Sequence, residues 1–202
     1  MKNLKFITYF VSIITCFALS AQEEETEEKP TFSVAGSIDT YFRGSDYAPK
    51  TSFANLPGFS VGMANVILSY EGEKSGFVAD FVYGPRGVEA VFNSSGSSNI
   101  VNQLYAYLNV SDNFTLTLGN WNTFLGYEVI SPTANFNYST SYMFSYGPFS
   151  HTGIKADFTL SENTSLMLAV MNQTDYTEGN FDSADTGLAF DAYMFGAQLG
   201  IS

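Results

Sequence analysis

The chain has 202 residues, a formal net charge of −12, one histidine and one cysteine, and it is 16% aromatic but only 14% charged. So acidic a chain has too few Lys and Arg residues to neutralise phosphates, which excludes nucleic acid as a partner. A lone Cys16, placed in the N-terminal segment, excludes disulfides, a cysteine nucleophile and thiolate metal sites in the rest of the protein.

Residues 1–21 have the order of a secretory signal peptide. Lys2 and Lys5 precede an apolar run from Phe6 to Leu19, and Ala18-Leu19-Ser20-Ala21 supplies small residues for cleavage before Gln22. The run is short for a membrane-spanning helix. Cys16 lacks a small residue before it and sits inside the apolar run, so a lipid anchor is not expected. Residues 22–30 carry Glu23, Glu24, Glu25, Glu27 and Glu28, a block of like charge that reads as a disordered, solvated leader.

From residue 31 the pattern is that of strands. Over Thr31 to Arg43, Phe32, Val34, Ile38 and Phe42 alternate with Ser33, Ser37, Asp39, Tyr41 and Arg43, the period of a strand between two environments. A second strand is expected over 59–70, with less distinct faces because Met63 and Ile67 oppose Val66 and Leu68. A third covers 76–83, with Phe77, Phe81 and Tyr83 opposite Asp80. The fourth, 100–110, sets Leu104, Ala106, Leu108 and Val110 against Gln103, Tyr105, Tyr107 and Asn109. The fifth runs from Phe114 to about Phe124. The sixth, 152–160, alternates most clearly: Ile154, Ala156, Phe158 and Leu160 against Lys155, Asp157 and Thr159. The seventh and eighth are expected over 164–172 and 188–202.

The connections between them run long (44–58), short (71–75), long (84–99), short (111–113), long (125–151), short (161–163), long (173–187). Strict long–short alternation between strands of about ten residues is the plan of an up-and-down transmembrane β-barrel, whose short turns face the periplasm and whose long loops face outside. A β-sandwich or a lipocalin-like barrel has no reason to keep that order. In hydrocarbon every backbone N–H and C=O must be paired within the structure, so the strands must close. The apolar faces then meet lipid, and Asp39, Asp80, Gln103, Lys155 and Asp157 line the lumen. The fold class is therefore all-β, an antiparallel up-and-down transmembrane barrel over 31–202 with about eight strands present. The chain stops at Leu199-Gly200-Ile201-Ser202 rather than on a terminal aromatic, so it is expected to be the N-terminal portion of a longer barrel.

One stretch fits neither strand nor flexible loop: Gly126 to Gly153, rich in aromatics, Ser, Thr, Asn, Gly and Pro, with Glu128 as its only charge and His151 as the only histidine of the chain. Within it, Gly126-Tyr127-Glu128-Val129-Ile130-Ser131-Pro132, Asn135-Phe136-Asn137-Tyr138-Ser139, Gly147-Pro148-Phe149 and His151-Thr152-Gly153 resemble the OmpL-like putative β-barrel porin family. Gly76-Phe77-Val78-Ala79-Asp80 and Gly84-Pro85-Arg86-Gly87 are similar to the same family. The resemblance covers about residues 31–202. It implies a bacterial outer-membrane porin passing small hydrophilic solutes or ions, without catalytic residues or cofactor.

His151 is the first place to look for chemistry. A metal site needs further His or clustered carboxylates, and around His151 the sequence offers only the separate acids Glu128 and Asp157. A pairing with Ser139 or Ser141 as a hydrolase is conceivable, but with one His among many Ser residues such a pair arises by chance. No catalytic, metal or cofactor site is expected. Arg86 and Glu128 instead stand at the outer ends of upward strands beside long loops. Charges there select ions in pores, so both are candidates for a constriction, with Asp39, Asp80, Lys155 and Asp157 along the lumen wall. Tyr127, Tyr138, Tyr142 and Tyr146 are a lesser candidate set for stacking on sugar rings.

The reading is an outer-membrane porin, exported through a cleaved signal peptide, in contact with outer-membrane lipid, open to homo-oligomerisation and working by passive diffusion. The alternative is a small eight-stranded outer-membrane barrel with a structural or adhesive role carried by its external loops.

Overall fold

The computed structural model describes residues 29–45, 56–91, 96–177 and 193–202. The signal peptide and all but the last two residues of the leader fall outside this range, as do 188–192 of the expected eighth strand. Eight strands follow one another: β1 (Thr31–Arg43), β2 (Gly58–Glu71), β3 (Ser75–Tyr83), β4 (Val101–Ser111), β5 (Phe114–Asn122), β6 (Ser150–Ser161), β7 (Thr164–Met171) and β8 (Met194–Ile201). Each pairs antiparallel with the next in a single sheet of order β1 to β8. The expected up-and-down, all-β plan is the observed one. β1 and β8 are the two edges of the sheet, and they do not pair with each other among the described residues.

The short turns bring the strands together at one end of the sheet, so the four long connections share the other end. The boundaries differ slightly from the expected ones. β6 starts at Ser150 rather than 152, which puts His151 inside the strand, paired with Trp121. The connection after β3 is not all loop but contains a short helix, Pro85–Ala90. Pro85 pre-sets the helical φ at the first position. Gly84 before it sits at φ 93, and a Cβ there would meet the Gly62 carbonyl oxygen at 2.9 Å, so only glycine turns the chain sharply enough.

The two faces of the sheet differ as the alternation predicts. Ile38 is 79% exposed and Leu118 64% exposed, and Val34, Phe42, Leu104, Leu108, Leu160 and Leu199 are exposed on the same side. A contiguous apolar surface of this extent is not tolerated by water in a monomeric soluble protein; it suits hydrocarbon. Stacked and tilted rings on neighbouring strands, Phe114–Phe158 at 4.7 Å and Phe42–Phe59 at 4.8 Å, belong to the sheet's cross-strand packing.

The indistinct faces of β2 have a physical cause. Asp39 pairs with Met63 but Thr40 pairs with Val61, which leaves Gly62 as an extra residue on β2. This β-bulge reverses the phase of the alternation. Phe59 and Val61 are exposed before it, whereas Met63 and Asn65 are buried after it. A second bulge lies between Asp80 and Phe81, which pair with Gln103 and Val101 and leave Asn102 extra on β4.

Candidate functional site

The inner face, defined by Ser37, Asp39, Met63, Asn65, Asp80 and Val82, carries two structures: a ladder of polar side chains across the strands, and the long connection between β5 and β6 folded onto it.

The ladder starts on β1. Ser37 Oγ donates to Asn65 Oδ1 at 3.2 Å, and Asn65 Nδ2 donates to Asp80 Oδ1 at 3.0 Å. Asn102 Nδ2 donates to Asp80 Oδ2 at 2.6 Å. On the other face, which Asn120 and Thr152 share with Leu118 and Ile154, Asn120 Nδ2 donates to the backbone carbonyl of Asn102 at 2.8 Å, and Thr152 Oγ1 donates to Asn120 Oδ1 at 2.9 Å. On the inner face four successive strands, β1 to β4, are joined through side chains. Asp80, expected on the lumen wall, is on the expected face but only 3% exposed, with both carboxylate oxygens accepting amides. It works as the centre of a buried network rather than as a charge presented to solvent. Lys155 and Asp157, two residues apart on β6, form an ion pair at 2.8 Å and remain partly exposed, with Lys155 Nζ 5.9 Å from the centre of the Trp121 ring.

Residues 123–149 are an ordered body, not a flexible loop. Thr123 N donates to the Phe149 carbonyl at 2.9 Å and closes its base. Asn135 clamps Val129 through both backbone groups, at 2.8 and 2.7 Å. A short helix, Tyr142–Tyr146, is capped by Ser141, whose Oγ accepts from Phe144 N at 3.2 Å. Glu128 accepts from Ser141 N at 2.9 and 3.2 Å and from Ser141 Oγ. Ile130, Phe144 and Phe149 pack with Met63, Val82, Ala90 and Val91 in one buried apolar cluster. The loop therefore lies on the inner face of β2 and β3 and on the helix Pro85–Ala90.

Polar contacts pin it there. The Tyr138 hydroxyl donates to Asp39, 3.1 and 3.0 Å from the two carboxylate oxygens and 99 residues away in sequence. The bulge at Gly62 makes room for that carboxylate: a Cβ at residue 62 would stand 2.0 Å from Asp39 Oδ2. Arg86 is completely buried, its Nε donating to the Ile130 carbonyl at 2.9 Å and its guanidinium lying 5.9 Å from the centre of the Tyr138 ring. Burial lowers the Arg86 pKa below its ordinary value, with Asp39, Tyr138 and Glu89 opposing. Burial raises the Tyr138 hydroxyl well above the usual tyrosine value, helped by its bond to Asp39. Glu89 is raised by burial and lowered by Arg86.

Arg86 and Glu128, paired in the sequence reading, are not brought together. Arg86 joins Asp39, Tyr138 and Glu89; Glu128 braces the loop internally. His151 is 1% exposed, with Nε2 2.9 Å from Thr123 Oγ1 and its ring 4.9 Å from Phe124. Ser141, one of its two conceivable serine partners, is engaged by Glu128 and Phe144 N instead. Sequence reasoning missed Asp175. Its carboxylate accepts from Phe149 N at 2.6 Å and Ser150 N at 2.9 Å, fixing the point where the loop enters β6. Burial raises its pKa, and those backbone bonds and His151 oppose the shift. Asp175 has φ 66, a conformation that Asp tolerates better than most residues, and an Asp just past a strand end is the one local signal that could have found it.

Among the described residues no group of His, Cys, Asp and Glu is disposed to hold a metal ion. The family model described as putative β-barrel porin-2, OmpL-like, matches residues 31–201. No curated protein and no solved structure matches the chain.

Proposed function

The chain belongs to the OmpL-like putative β-barrel porin family, and from that premise we propose that it forms a water-filled outer-membrane pore for passive diffusion of small hydrophilic solutes or ions. The observation that carries the reading is the division of the sheet: a largely apolar outer face, and an inner face with Asp39, Asp80, Lys155 and Asp157 on which residues 123–149 are folded. A loop held against the wall inside a barrel narrows the lumen, and the charges and hydrogen-bonding groups around it then select solutes. Arg86 acts in this scheme by holding the loop, since it is buried beneath it; Asp39 and Tyr138 hold its tip. Lys155 and Asp157 present charge to the water. The N-terminal segment 1–21 directs export, and the short turns stand on the periplasmic side.

Reconstitution of the full-length protein into planar lipid bilayers tests this. Stepwise currents carried by simple salts are expected, with larger steps for Tyr138→Phe than for the parent protein. Absence of discrete currents from correctly folded, heat-modifiable protein would overturn the pore reading and leave a structural or adhesive barrel.

A further inference from the structure

The two ends of the loop enclose a recess of about 150 Å³, lined by Leu125, Tyr127, Glu128, Met143, Phe144 and Pro148. Its walls are mainly apolar, and its one charge is Glu128. Among the described residues, the hydrogen bonds that reach this carboxylate come from Ser141 alone. A carboxylate offers about four acceptor positions, so Glu128, which lines the recess, keeps acceptor capacity. Glu128 takes part in no ion pair among the described residues, and no Lys or Arg occurs between Gly126 and Gly153. At the rim, Tyr127 and Met143 are 80% and 73% exposed, although Phe144 and Phe149 of the same loop are buried in its packing. The tyrosine set considered for sugar stacking is thereby divided: Tyr138 is bound to Asp39, and Tyr127 lines the recess.

We propose that this recess is a binding site for a small organic cation, an alkylammonium or quaternary ammonium group. Its apolar body would contact Leu125, Met143 and Pro148, its charge would face Glu128, and the Tyr127 ring would add cation–π attraction. An anion is repelled by the carboxylate. A sugar would need several directed hydrogen-bonding groups, where the side chains of this lining supply the Glu128 carboxylate and the Tyr127 hydroxyl. Rigidity favours binding, because the Glu128–Ser141 brace and the capped helix hold the walls before a ligand arrives. The role in solute selection rests on the pore reading; the binding itself does not.

The test is calorimetric titration of the full-length protein in maltoside micelles with tetramethylammonium, and with neopentyl alcohol as a neutral near-isostere that differs by one hydroxyl. Saturable binding of the cation at one site is expected, with the isostere at least about tenfold weaker. Glu128→Gln, which keeps an acceptor for Ser141, should lower cation affinity about tenfold, and Tyr127→Ala several-fold. Ser141→Ala removes the helix cap and one bond to Glu128 but leaves the charge, and should weaken binding less than Glu128→Gln does. Equal affinity for the neutral isostere, or for methyl glucoside, would overturn the proposal, as would an unchanged affinity in folded Glu128→Gln. Competition by free choline would assign the site to solutes in transit. Competition only by micelles bearing phosphocholine headgroups would assign it to lipid. Conductance without cation binding sinks this site alone, and cation binding without conductance sinks the pore reading alone.

Discussion

The inner face of the sheet has two unlike halves. On β1 to β4 the ladders are broken by bulges at Gly62 and Asn102, charged and amide side chains are buried, and the loop 123–149 is seated above them. On β5 to β7 the pairing is regular up to the last turn, the one inner ion pair, Lys155–Asp157, is partly exposed, and the buried cluster is the smaller set Trp121, Met167, Ala169 and Met171. Away from the short turns, the irregularities fall in the half that carries the loop. Each re-aims a side chain: the first clears space for the Asp39 carboxylate under Tyr138, and the second presents Asn102 to Asp80. A bulge is thus a means of building a site on a sheet, and the regular half serves as wall.

That contrast predicts unequal costs for removing similar groups. Asp80→Ala would orphan the buried amides of Asn65 and Asn102, at roughly 1–3 kcal/mol each. Asp157→Ala would lose a partly exposed ion pair worth under about 1 kcal/mol. Urea unfolding in lipid vesicles should separate the two variants clearly, and equal losses would erase the distinction between the halves.

Gly62→Ala comes next. Its Cβ would collide with the Asp39 carboxylate, costing about 1–3 kcal/mol as overpacking and displacing the acceptor from Tyr138. Proteolysis within 123–149 should accelerate while the strands stay protected. Tyr138→Phe removes only the hydroxyl bonds to Asp39, at about 1–3 kcal/mol for a charged acceptor, and should loosen the loop less than Gly62→Ala does. If both variants were cut at the parent's rate, the Asp39 latch would not be what holds the loop.

The smallest effect is a titration. The Tyr138 proton is held more tightly in the folded than in the unfolded protein, so its stabilising contribution is complete below the ordinary tyrosine value near 10 and is lost as pH rises through the higher folded value. Ultraviolet titration of the parent should show a late-ionising tyrosine that Tyr138→Phe lacks; identical curves would remove Tyr138 from its buried, Asp39-bound setting.

Much of this architecture is legible in one dimension because strand faces repeat every two residues. Lys155 and Asp157 against Ile154 and Ala156 announce their faces directly. The bulges defeat the same reasoning. After Gly62 the period continues with its phase reversed, so β2 reads as indistinct although both of its parts alternate. The helix Pro85–Ala90 is too short to show a period, and only Gly84-Pro85 marks its start. The site is less legible than the fold because its contacts are distant in sequence. Nothing local joins Tyr138 to Asp39 or Arg86 to Ile130, and Glu128, conspicuous as the only charge of its stretch, turns out to be bonded three-fold to Ser141 rather than to Arg86.

The central claim is that the inner face meets water and the outer face meets lipid. In a Cys16→Ala background, Asp157→Cys and Leu118→Cys proteins in planar bilayers, exposed to a charged, membrane-impermeant thiol reagent, test it most directly. The account predicts a stepwise fall in unit conductance for Asp157→Cys and no response for Leu118→Cys. The reverse pattern, or an equal response at both positions, would contradict it.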